Sequence, residues 1–247
     1  ASVDSHLILT LKRTAQIPPA LTDRRAPSVT RSVEPLKTDP IFQEVIHHRL
    51  ASIAEEMGVV LRKSAVSTNI KERLDFSCAI FNHNGDLVAN APHVPVHLGS
   101  MSDSVKSVIR EKGSEMKPGS VYMLNAPYNG GTHLPDVTVV TPVFDHAGTR
   151  VLFYVGSRGH HADIGGRTPG SSPPDSTHID EEGVLIDNFL LVENNVLREQ
   201  QTRELLGSGP YPCRNIEHNM ADLAAQIAAN ETGAAELRKM VEQFGLQ

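Results

Sequence analysis

Histidine and aspartate recur at short spacing in two glycine-bounded stretches, and these are the first places to look for chemistry. Asn129-Gly130-Gly131-Thr132-His133-Leu134-Pro135-Asp136 carries an imidazole and a carboxylate three residues apart. Ser157-Arg158-Gly159-His160-His161-Ala162-Asp163-Ile164-Gly165-Gly166 carries two more imidazoles and another carboxylate. Between them, Val137, Val139, Thr141 and Val143 alternate, an Asp145–Thr149 turn follows, and Val151–Val155 resumes the pattern of a β-hairpin. The first stretch enters that hairpin and the second leaves it, so pairing the strands brings both into one neighbourhood. Strand neighbours face opposite ways, so His160 and His161 cannot both point at one centre. The economical set is His133, Asp136 and His160, with His161 or Asp163 behind it. Mixed nitrogen and oxygen donors suit Mn²⁺, Zn²⁺ or Fe²⁺ better than Ca²⁺. Such an ion polarises a carbonyl or supplies hydroxide near neutral pH. The competing reading is structural: His and Asp bonded to backbone in tight glycine turns.

The elements that must position these residues can be traced along the chain. Asp39 is a good N-cap and Pro40 a good first helical residue. Ile41, Val45, Leu50, Ile53, Met57, Val60 and Leu61 then predict an inward helical face as far as about Ser64. Asn69, Lys71, Glu72, Arg73 and Asp75 form a dense polar entry to a strand, fit for loop ion pairs or for substrate contact. Phe76–Phe81 and Leu87–Ala89 predict a hairpin. In Asn90-Ala91-Pro92-His93-Val94-Pro95-Val96-His97-Leu98-Gly99 two histidines lie four apart, and the two prolines predict extended chain. Ser100 or Ser102 would cap a second helix with Met101, Val105, Val108 and Ile109 inward and Gly113 as its stop. Val121–Leu124 reads as a strand. Pro142 predicts an edge or a bulge in the hairpin's first strand. Residues 168–180 read as a long loop over the site and 183–192 as a further strand. Glu199–Leu206 reads as a short helix. Ile216, Met220, Leu223, Ile227, Leu237, Val241 and Phe244 mark a long C-terminal helix, interrupted near Gly233. The fold class expected is α+β, antiparallel hairpins with flanking helices.

Composition narrows the function classes. The 247 residues carry a net charge of −6, no Trp and no basic stripe, which argues against nucleic acid. No apolar run approaches the roughly 18–20 residues of a membrane helix. Two isolated cysteines, Cys78 and Cys213, fit buried thiols in a reducing compartment, hence a cytoplasmic protein. Residues 1–37, rich in proline and charge, read as a linker or the end of a preceding region, and 38–247 as the domain. The chain begins with Ala and without a signal-peptide pattern, and is expected to be a piece of a longer polypeptide.

Four of these stretches carry a resemblance. Asn69–Ala79, Asn90–Gly99, Gly131–Asp136 and Ser157–Gly166 together resemble the hydantoinase B/oxoprolinase family, most of all its ATP-dependent 5-oxoprolinase members. The resemblance implies a truncated hydantoinase B-like domain that completes an ATP-dependent hydrolysis of a cyclic amide, 5-oxoproline to glutamate in glutathione metabolism. It implies a hydantoinase A-like ATPase module, fused or separate, that supplies ATP and Mg²⁺ and activates the lactam oxygen, and a homo-oligomeric assembly. It implies a divalent transition metal, Mn or Zn, on His133, Asp136 and His160, with His161 and Asp163 as catalytic groups. Arg73, Arg158, His93 and His97 fall in matching motifs and would contact substrate, the arginines by gripping a carboxylate or else as structural pairs. Alternatives are an N-methylhydantoinase-type enzyme, a ketone carboxylase subunit, or a non-catalytic assembly piece. Ala126 departs from the Asn-Asp-Pro or Asn-His-Pro of many relatives.

Overall fold

The computed structural model describes residues 39–245 apart from Pro92 and the side chain of Val96. The linker or end of a preceding region expected over residues 1–37 lies outside the described residues. Seven strands form one antiparallel sheet: β1 Phe76–Asn82, β2 Leu87–Asn90, β3 Val121–Leu124, β4 Asp136–Phe144, β5 Val151–His160, β6 Phe189–Glu193 and β7 Val196–Leu197, in the order β2-β1-β5-β4-β3-β6-β7. The helices are α1 Pro40–Ser64, α2 Thr68–Lys71, α3 Pro95–Lys112, α4 Glu199–Leu206 and α5 Ile216–Phe244.

Both faces of the sheet are covered, which is why β1 and β4 read as nearly continuous apolar runs. On one face Ala79, Phe81, Val140 and Tyr154 pack under α3 through Met101, Val105 and Val108. On the other, Cys78, Ile80, Phe153 and Val155 pack under α1 and α5, and Val137 and Val139 meet Met220 and Leu223 of α5. The period of two therefore sorts β5: even-numbered residues look toward α3, odd-numbered ones toward α5. The chain places the hairpin β4–β5 at the centre, with Asp136 directly opposite His160.

Four expectations are corrected. The inward face of α1 is Ile46, Leu50, Ile53, Met57 and Leu61, while Ile41 is 74% and Val45 52% exposed. With Val45 and Ile46 side by side, composition could not choose the stripe. Helix α3 starts at Pro95 rather than near Ser100, because proline is harmful inside a helix but harmless in its first turn, where its missing N–H has no partner. That puts His97 on the helix. Pro142 lies in an internal strand: β3 reaches only as far as Val140, so no ladder donor is missed, and the register slips at Val143/Phe144 instead. Finally, α5 runs unbroken through Gly233. A side chain there would meet Met57 Sδ at 2.4 Å, so the glycine serves close packing against α1.

Candidate active site

The end of the sheet beside the first turn of α3 collects four titratable side chains from four separate segments. Asp136 begins β4 and His160 ends β5, both on the α3 face. His97 comes from the first turn of α3 and Asp75 from the residue before β1. His160 Nδ1 lies 2.7 Å from Asp136 Oδ1 and 3.9 Å from Asp75 Oδ2. His97 Nε2 lies 3.5 Å from Asp75 Oδ1 and 3.7 Å from Asp136 Oδ1. The helix N-terminus adds its positive end beside two carboxylates.

The electrostatics follow from these contacts. Burial alone would raise the Asp136 carboxyl, but hydrogen bonds from His160 and Thr132 and the charges of His97 and His160 outweigh it and bring it to about 2. Burial would lower His160, and the same bond and charge of Asp136, with Asp75 beyond, raise it instead. At neutral pH Asp136 is thus an anion that accepts a proton-bearing Nδ1, leaving Nε2 as the ring nitrogen of His160 that can hold or release a proton. For His97 burial wins over both carboxylates and its proton affinity falls. The cluster thus holds two imidazoles with opposite bias side by side.

Arg158 lies underneath and is fully buried. Its Nε donates to Thr138 Oγ1 at 2.7 Å, Nη1 to Ser100 Oγ at 2.5 Å and the His97 carbonyl at 3.3 Å, and Nη2 to Ser104 Oγ at 2.9 Å and the Gly130 carbonyl at 2.8 Å. All five donors are used. The expected role in gripping a substrate carboxylate is therefore corrected: Arg158 ties the first turns of α3 and the Gly130 loop to β4 and β5, and so positions His97. Desolvation brings its guanidinium down to about 10, against the opposing pull of Asp136.

His161 and Asp163 do not reach this cluster. His161 points to the α5 face, where Nε2 donates to Gln226 Oε1 at 3.0 Å and Nδ1 accepts from Asn219 Nδ2 at 3.1 Å. Burial holds the ring neutral, its proton affinity below the ordinary value. Asp163 accepts from the Arg214 side chain at 2.6 Å and its amide at 2.8 Å, latching the Gly165-Gly166 turn to the start of α5. Both catalytic assignments are corrected: neither side chain faces the centre. His93 also stands apart. Its Nδ1 accepts from the Cys78 amide at 3.1 Å, its ring packs tilted against Phe76 with centroids 4.8 Å apart, and it lies in a groove against α1. Arg73 is exposed, close enough to His160 for its charge to oppose protonation there.

His133 is half-buried beside His160, ring centroids 5.4 Å apart, but its Nε2 is 3.0 Å from the Ser171 carbonyl and 3.1 Å from Ser172 Oγ. The 168–180 loop therefore does lie against the site, as expected. The donor chemistry of His133, Asp136 and His160, with Asp75 and His97 adjacent, fits a borderline divalent cation. In the present arrangement these groups are engaged as hydrogen-bonded and ionic pairs, and among the described residues no three His, Cys, Asp or Glu side chains are disposed to hold a metal.

Two groups that matter were not singled out from sequence. Asp75 was visible only as one of five charged or polar residues in its loop. The polar stripe of α5, Asn219, Asp222, Gln226 and Asn230, is almost fully buried: Gln226 donates to the Val137 and Ser157 carbonyls, Asn230 to the Val139 carbonyl and Asn219 to the Asp163 carbonyl, while Asp222 accepts from the Val66 and Ser67 amides. Its spacing of three and four was a signal, since a buried helix face need not be apolar where it meets unpaired acceptors.

Comparison with known proteins places this centre in context. The chain is 48% identical to 5-oxoprolinase 1 of Arabidopsis thaliana over 219 residues, covering 84% of this chain and 17% of that protein. It therefore spans under a fifth of that relative's length. Its fold superimposes on the crystal structure of the ATP-dependent caprolactamase from Pseudomonas jessenii with a TM-score of 0.73 at 28% identity, over 85% of this chain and 35% of the other. It also matches the nucleotide-free structure of acetone carboxylase, TM-score 0.74 at 20% identity, over 83% of this chain and 27% of the other, a likeness of fold. None of its described helices is long and apolar enough to cross a membrane. The sequence profile of hydantoinase B/oxoprolinase matches residues 39–247, and with the expected antiparallel sheet and flanking helices in place, the chain belongs to the hydantoinase B/oxoprolinase family.

Proposed function

We propose that this chain is the hydrolytic module of an ATP-dependent enzyme that opens a cyclic amide, with 5-oxoproline as substrate and glutamate as product. The observation that carries the reading is the cluster of Asp75, His97, Asp136 and His160, assembled from the very segments that resemble the family. The similarity to a 5-oxoprolinase supports the choice of ring. An amide carbon is a poor electrophile, so a partner ATPase module, hydantoinase A-like, transfers a phosphoryl group to the amide oxygen. Water then adds to that carbon, the ring C–N bond breaks as the nitrogen takes a proton, and a second water releases phosphate from the acyl phosphate left behind, giving the open-chain carboxylate. In this module His160, its Nδ1 held by the Asp136 anion, presents Nε2 to take a proton from the attacking water or return one to the leaving nitrogen. Arg73, exposed at the rim, is the cation placed to meet a substrate carboxylate. Alternatively, His133, Asp136 and His160 would hold a divalent cation, Mn or Zn, with His133 exchanging its loop contact for it and His160 serving as a ligand in place of its acid–base role. That ion would supply Lewis-acid polarisation.

The test is made on the complete ATP-dependent assembly containing this chain. ATP-dependent release of glutamate from 5-oxoproline is expected, abolished by His160→Ala. An assembly that turns over ATP but leaves 5-oxoproline intact would overturn the choice of substrate. The resemblance to the caprolactamase gives a second reading, a larger lactam ring, which the same assay with that ring in place of 5-oxoproline decides.

A further inference from the structure

We infer that Asp222, buried in α5, is a positioning residue for the ring opening: through the Ser67 hydroxyl it fixes the segment that carries Arg73 and Asp75 against the end of β5 that carries His160. The inference rests on the function proposed above. Asp222 belongs to the helix on one face of the sheet and the cluster lies on the other, so this carboxylate meets no reacting atom and acts only through the chain it holds.

The first observation is an acid in an otherwise neutral stripe. Asn219, Gln226 and Asn230 present amides, whose N–H groups donate to carbonyls. Asp222 is 0% exposed and offers acceptors alone. Among the described residues it pairs with no Lys or Arg. Its bonds come from the Val66 amide at 2.8 Å, the Ser67 amide at 3.1 Å and the Ser67 hydroxyl. A carboxylate buried without a cation is costly, so these three donors must offset it. All three lie in one two-residue stretch between α1 and α2.

The second is what the Ser67 hydroxyl does next. With its proton given to Asp222, it keeps a lone pair free and accepts from the Ala162 amide at 3.2 Å. Ala162 stands two residues past His160. At the other end of the same segment, the Asp75 carbonyl accepts from the His160 amide at 3.0 Å. Residues 67–75 are thus tied to the exit of β5 at both ends, once by backbone and once through Asp222.

The third is that little slack lies between the two ties. Arg73 N–H donates to the Thr68 carbonyl at 3.1 Å and Asp75 N–H to the Asn69 carbonyl at 2.9 Å. Ile70 is fully buried and rests on Gly159, where a side chain would meet its Cδ1 at 2.8 Å. A shift at Ser67 is therefore passed on to Arg73 and Asp75.

For the reaction, this alignment governs coupling. The activated ring must be opened here before water attacks its phosphorus instead. That attack breaks the bond from phosphorus to the amide oxygen, returns phosphate and the intact lactam, and consumes ATP without forming glutamate.

The test counts ATP consumed per glutamate formed from 5-oxoproline by the complete assembly, with the melting temperature measured for each variant. Ser67→Ala and Asp222→Ala should each raise that ratio by on the order of tenfold or more, since a misplacement of about 1 Å can cost about 10²-fold in rate. The double variant should be no worse than the worse single, because both break one path. Asp222→Asn keeps the shape and the acceptor for the two amides, and should stay within about fivefold of the wild type, the worth of a single hydrogen bond. Ser67→Ala leaves those amide bonds in place, and it decides the matter if Asp222→Ala does not fold. A fall of ATP use and glutamate formation in equal proportion would make the bridge merely structural and overturn the inference, leaving the ring-opening reading intact. An unchanged ratio in Ser67→Ala would overturn it as well. If the wild type forms no glutamate at all, the proposed function fails first and this inference with it.

Discussion

His160 and His161 are adjacent in the chain and opposite in fate. His160 looks toward α3, meets the anions of Asp136 and Asp75, and has its proton affinity raised. His161 looks toward α5, lies between the neutral amides of Gln226 and Asn219, and has it lowered. Both rings are removed from water, His161 more completely than His160, which disfavours the charged form of each. What separates them is the partner: a carboxylate stabilises imidazolium, whereas an amide carbonyl on one nitrogen and an amide N–H on the other select a neutral tautomer. One side of β5 is thus built for proton chemistry and the other for holding a helix against a sheet.

This contrast can be broken most sharply at Asp136. In the complete assembly Asp136→Asn should lower ring-opening turnover by about 10²–10⁴-fold, the range for losing an acid–base group. His161→Gln should leave turnover within a few-fold, so equal losses in the two variants would erase the distinction. Next in size is Arg158. Arg158→Met strands its oxygen partners, Thr138, Ser100, Ser104 and two carbonyls, and should cost about 2–5 kcal/mol in a denaturant titration.

The pH dependence of stability then sharpens the comparison in the metal-free protein. His160, raised in the fold, contributes stability that is fully present below the ordinary histidine value of 6.5 and is lost as pH rises through its folded value. His161, lowered in the fold, acts in the opposite sense, its neutral form being favoured and stability falling on acidification below 6.5. Asp136 adds stability above its ordinary 3.8 that disappears as pH falls toward about 2. Imidazole NMR titration should show His161 still neutral at a pH where His160 is charged; identical midpoints would refute the assignment. The smallest expected effect is structural: Gly233→Ala pushes Met57 aside and should cost about 1 kcal/mol, since a thioether yields readily. A cost several times larger would mean that the α1–α5 contact cannot relax.

Much of this was legible before the fold was seen. The alternation of Val137 to Val143 and Val151 to Val155, with a short turn between, suffices to predict the hairpin and hence the pairing of Asp136 with His160. Helix Glu199–Leu206 matches its expected bounds, and α1 starts at its Asp39 cap and Pro40 as predicted. Periodicity is local, and local rules carry such elements. What periodicity could not supply was orientation around the strand end. It set His161 or Asp163 behind His160 in one centre, left Asp75 among the polar residues of its loop, and left Arg158 open between a substrate clamp and a structural pair until its five acceptors were in place.

Spacing within the hairpin by itself determined which residues would meet across two strands, because antiparallel pairing turns sequence order into proximity. Only the tertiary structure decided which of them would be chemistry and which would be scaffold. That depended on α3 bringing His97 to one face and α5 bringing Gln226 and Asn219 to the other, contacts made across 58 to 65 residues of chain. Charge and burial are properties of such surroundings, and no short stretch of sequence contains them.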